Sequence, residues 1–124
     1  MNAERTTKTI AAALLQAEKN LKTIRAEIAG AFDLDYDISP STMERLAEYQ
    51  AAVKLYRNLA KMVARGIEKG NLEERVADKL ADMQENLFYQ GAGGSTSQIS
   101  NGVTEIDRKQ LLRAYGTLSG LAQS

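Results

Sequence analysis

The 124-residue chain has no cysteine and no histidine, a single proline, and no excess of either charge, since 16 basic residues balance 16 acidic ones. Without cysteine there is neither a disulfide framework nor thiolate chemistry. Without histidine as well, the usual transition-metal ligands and the commonest general base are missing. Neutrality removes the overall field that would draw the chain onto nucleic acid or an anionic membrane, leaving only local patches. No run approaches the ~20 apolar residues of a membrane span, and the opening MNAERTTKTIAAALL mixes charges into an apolar stretch too short for a secretory signal. These absences predict a soluble protein with no targeting signal, no cofactor and no enzymatic activity. The length fits one small domain, or a small domain with a helical extension, whose modest core self-association would supplement.

What the chain does have is helical periodicity. From about Ala3 to Ala29, Ile10, Leu14, Ala17, Leu21, Ile24 and Ile28 recur at spacings of four and three, a single helical stripe. The pattern then breaks into AFDLDYDIS, where Asp33, Asp35 and Asp37 alternate with Leu34, Tyr36 and Ile38. A second helix is predicted to start with Ser39 as cap and Pro40 at its first position, or with Ser41 and Glu44 as a capping box. It should run to about Ile67 with a second stripe of Leu46, Tyr49, Val53, Tyr56, Ala60, Val63 and Ile67. Two such seams suit helices packed lengthwise on each other or on neighbouring subunits. Gly66 and Gly70 mark a break, and Asn71 with Glu74 caps a third helix carrying Leu72, Val76, Leu80, Met83 and Leu87 to near Gln90.

After the glycine and serine of GAGGSTS comes a hairpin signal, Asn101-Gly102 between two short alternating runs. A type I′ turn there pairs Ile99 with Thr104 and puts Ile99, Thr104 and Ile106 on one face. Asp107 then offers a cap, with Gln110 three residues on, for a last helix from Arg108 bearing Leu111, Leu112, Tyr115 and Leu118. The expected fold is therefore mainly α with one small β-hairpin: three long helices, a hairpin near 96–106 and a short C-terminal helix. Residues 1–70 would form a helical hairpin for oligomerisation or docking, and 71–124 a helix-hairpin-helix unit, or the two would make one continuous domain over 1–124.

Several patterns invite chemistry. The alternating Asp33, Asp35 and Asp37 look like the opening of a calcium loop, but the glycine and the later bidentate glutamate that such a loop requires are missing. An acidic helix connector is the simpler reading. GAGGS at 91–95 lacks the Gly-Lys-Ser/Thr ending of a phosphate loop. Lys54, Arg57, Lys61 and Arg65 form a row on one side of the second helix that could meet polyanions or an acidic partner; such rows are more often solvated faces. Tyr49 and Tyr56 share the apolar seam and read as core or interface aromatics. Glu85 to Gly91 (ENLFYQG) would, with Phe88 and Tyr89 exchanged, be the cleavage sequence of a potyviral protease, which would make the rest of the chain a tethered peptide. Leu87 keeps the phase of Leu80 and Met83, which favours a continuous natural helix.

The order of helix, Gly/Ser spacer, hairpin and capped helix over residues 71–124 resembles the gpW-type head-tail connector proteins of tailed bacteriophages. By position, Gly91 to Ser95 match the spacer, Ser97 to Ile106 the hairpin with Asn101-Gly102 at its tip, and Asp107 to Leu118 the closing helix. The first seventy residues have no counterpart in small members of that family. The resemblance implies a ring of copies in the virion, assembled in the host cytoplasm, that joins portal to tail or stopper proteins and lets DNA pass without a specific grip. The alternative is a helical adaptor or chaperone that grooves a partner helix, with Arg108 to Leu118 as a tethered ligand. A DNA-binding regulator would rest on the basic row alone.

Overall fold

A computed structural model describes residues 1–88 and 105–124. They form four helices: α1 (Ala3–Asp33), α2 (Pro40–Lys69), α3 (Leu72–Phe88) and α4 (Glu105–Ala122). The mainly helical expectation holds, with two corrections. Only α1 and α2 are long, at 31 and 30 residues, whereas α3 has 17 and the supposedly short last helix has 18. No strand occurs among the described residues, and Ile106, assigned above to a strand, lies in the first turn of α4. Asn101, Gly102, Ile99 and Thr104, the other residues of the expected hairpin, lie outside the described residues.

The helix ends follow local chemistry. Asn2 caps α1, its Oδ1 accepting from the Arg5 backbone N–H at 2.9 Å. Of the two starts open for α2, the structure adopts Ser39 with Pro40 next; Ser39 Oγ accepts from the Thr42 N–H at 3.2 Å. Both long helices close with the same arrangement, a left-handed residue that lets the chain turn back on the last carbonyls. In α2 that residue is Gly70, with Asn71 N–H donating to the Gly66 carbonyl at 2.9 Å and Gly70 N–H to that of Ile67 at 3.3 Å. In α1 it is Asp35 at φ 56°, with Tyr36 N–H on the Ala31 carbonyl at 2.9 Å and Asp35 N–H on that of Phe32 at 3.2 Å. Aspartate tolerates this conformation better than most residues, so α1 continues four residues past its expected end at Ala29. Gly66, expected to mark a break, is instead buried inside α2. Asn71 precedes α3, and its Oδ1 accepts from Arg75 Nε at 2.8 Å. Asp107 does not cap α4. The helix begins two residues earlier, which leaves Glu105 and Asp107 in its first turn, where carboxylates favourably face the positive end of the dipole.

Two clusters make the core. Ala17, Leu21 and Ile24 of α1 pack on Ala52 and Val53 of α2, with Leu14, Ile28, Leu46, Tyr49 and Tyr56 half-buried around them. The ion pairs Glu18–Arg57 (3.9 Å) and Glu27–Arg45 (3.3 Å) set the two helices antiparallel, because a later α1 residue meets an earlier α2 residue. The larger cluster draws on all four helices: Ile10, Leu59, Val63, Leu72, Val76, Met83, Ala114, Leu118 and Leu121. The packing therefore crosses residue 70. Helix α2 packs on each of the other three, and α3 and α4 pack on each other. Lys109 of α4 pairs with Glu48 of α2 at 3.3 Å. The two seams thus meet within one chain, with Ile67 a departure at 44% exposure. Thr6 is fully buried, and its hydroxyl donates to the Asn2 carbonyl at 2.8 Å.

Candidate interaction surfaces

Because the internal seams are occupied, whatever this chain binds must meet other faces. The first is the tip of the α1–α2 hairpin. The cluster nearest to it contains residues of α1 and α2 alone. The turn built on Asp35 throws Phe32, Leu34 and Tyr36 outward, at 66%, 64% and 68% exposure, and Met43 at the start of α2 is also exposed. Between them stand Asp33, Asp35 and Asp37, all exposed and without an ion pair among the described residues. No group of three or more carboxylates, histidines or cysteines among the described residues is placed to hold a metal ion, so the calcium-loop likeness has no geometric support.

The second face is a groove between the opposite ends of the same two helices. Thr7, Ile10 and Ala11 of α1 and Ala60, Val63, Ala64 and Ile67 of α2 line an open cavity of about 330 Å³. Alanines create it: their short side chains leave space where the stripe would otherwise fill in. The Thr7 hydroxyl is turned back onto the Ala3 carbonyl at 2.9 Å, so the lining is almost entirely apolar. Exposed Leu15 lies one turn beyond Ala11 on the same side of α1.

Lys61 and Arg65 of the basic row directly follow Ala60 and Ala64, two residues of the α2 wall of this groove. Lys54, Arg57, Lys61 and Arg65 are all exposed, and among the described residues Arg57 alone of the four is paired, with Glu18. Glu68 is the one acidic residue on the same flank of α2, and on α1 the carboxylate of Glu4 is neutralised by Lys8 at 3.0 Å. A second cavity, of about 540 Å³, lies where α2 turns into α3, lined by Gly66, Gly70, Asn71 and the first residues of α3. The Met1 α-amino group crosses it to Glu73 at 3.1 Å.

The sequence singled out the tip's acidic alternation and the basic row, but missed the groove. Ala11, Ala60 and Ala64 signal nothing individually; only the crossing of α1 over α2 makes them a concavity. GAGGS at 91–95 lies outside the described residues. No helix among the described residues is long and apolar enough to cross a membrane. Comparison with protein-family models, with curated proteins and with solved structures finds no match to this chain.

Proposed function

We propose that this chain is a non-enzymatic assembly protein that works by associating with copies of itself and with other structural proteins. The observation that carries the reading is the hairpin tip. Three large apolar side chains at about two-thirds exposure stand on a hydrogen-bonded turn, and apolar surface of that kind is normally covered by a partner. The specific form suggested by the sequence resemblance is a ring-forming connector between the portal and tail of a phage virion. That resemblance now rests on less of the chain, since Ile106 belongs to α4 rather than to a hairpin strand. A neutral chain suits a channel wall, where a dense cationic surface would hold passing phosphates. Absolute mass across a concentration series, with electron microscopy of the assembled fraction, tests the reading: closed rings support it and a monomer at every concentration opposes it.

A second reading, the adaptor, draws on the seat of α4. Ala114 and Leu118 are fully buried against α2 and α3, as a ligand helix in a groove would be. It predicts a monomer in which a separate peptide of α4 sequence exchanges with the tethered helix, detectable by fluorescence anisotropy of the labelled peptide.

A further inference from the structure

Resting on the self-association reading, we infer that the acidic, apolar hairpin tip of one copy docks into the α1–α2 groove of the next. Each surface supplies what the other lacks. The tip projects Phe32, Leu34 and Tyr36 into solvent, and the groove is an uncovered apolar concavity of about 330 Å³ with Ile67 exposed at its margin. That volume lies at the small end of binding pockets, about 300–1,000 Å³, so it suits a few side chains rather than an extended molecule.

Charge chooses a second copy over an arbitrary apolar partner. Asp33, Asp35 and Asp37 alternate with the tip side chains, and Lys61 and Arg65 directly follow the groove-lining Ala60 and Ala64; none of the five has an ion pair among the described residues. Bringing tip and groove together places unpaired anions beside unpaired cations in a chain of zero net charge. Within one molecule this cannot happen. Phe32 and Ala11 lie on the same helix, about 30 Å apart at 1.5 Å per residue, so a tip cannot reach its own groove. The contact is head-to-tail, and repeated head-to-tail contacts close into a ring if the rotation allows and otherwise grow as a filament.

The test uses the full chain and two variants confined to exposed residues. A tip variant carries Asp33→Lys and Asp37→Lys, leaving Asp35 because its left-handed conformation closes α1. A flank variant carries Lys61→Glu and Arg65→Glu. Circular dichroism establishes that both are folded, and light scattering gives their masses. The expected result is an associated wild type, two monomeric variants, and renewed association in their equimolar mixture, where the acidic tip of one variant meets the basic flank of the other and the two reversed surfaces complement each other in turn. If either variant assembles as the wild type does, or the mixture stays monomeric, the tip-to-groove contact is overturned while the self-association reading stands. If the wild type is monomeric at all concentrations, both fall, and the two surfaces are left to a partner of different sequence.

Discussion

Gly66 in α2 lies against the backbone of Leu72 in α3 so closely that a Cβ added to it would sit 2.8 Å from Leu72 Cα and 3.0 Å from Leu72 Cδ1. The missing side chain lets the tight Gly70-Asn71 turn bring α3 directly back onto α2. Gly66→Ala should therefore destabilise the fold by about 1–3 kcal/mol, since backbone must move to admit one methyl group. Gly116 and Gly120 of α4 have nothing within 4 Å of the equivalent position. Alanine at either should be neutral or stabilise by up to ~1 kcal/mol through helix propensity. Urea unfolding followed by circular dichroism separates the three.

Met83 and Leu118, both fully buried in the four-helix cluster, hold α3 and α4 to α2. Truncating either to alanine should cost about 2–5 kcal/mol. Leu112→Ala, on a side chain 51% exposed in the same helix, should cost under ~0.5 kcal/mol. Thermal melting of the three variants checks the rotational setting of α4, and equal effects at Leu112 and Leu118 would refute it.

The tip conformation depends on Asp35 at φ 56° and on the Ser39 cap. Asp35→Val, which puts a β-branched residue at positive φ, should destabilise by about 1–3 kcal/mol, whereas Asp35→Gly should be close to neutral or stabilising. Ser39→Ala should cost about 0.5–2 kcal/mol. Denaturant midpoints measure all three, and a neutral Asp35→Val would show that the left-handed turn is absent.

Much of the helical framework was legible because α1 and α3 each bury one stripe: Ile10 to Ile28 and Leu72 to Leu87 recur at helical spacing and do face the core. α2 was only half legible. It stands between α1 and the α3–α4 pair, so it buries a second face, and fully buried Leu59 falls off the single stripe read from Leu46 to Ile67. In α4, Leu118 is fully buried and Leu111 and Tyr115 pack half-buried against the same cluster, as their spacing suggested, whereas Leu112 is 51% exposed. The buried face also carries Ala114, Leu121 and Gln110, the last a polar residue that apolar spacing could not point to. Thr6 was invisible for a related reason: a threonine whose hydroxyl returns to its own helix packs like an apolar residue. The groove is a tertiary product of three alanines, and spacing alone could not announce it.

The measurement that bears most directly on the account is the absolute mass of the wild-type chain by light scattering, across a concentration series at low and at high salt. Association through unpaired acidic and basic surfaces predicts a mass that rises above the 13.6 kDa of one chain and falls back as salt screens the contact. A mass of 13.6 kDa at every concentration, even at low salt, would contradict self-assembly as the work of this protein.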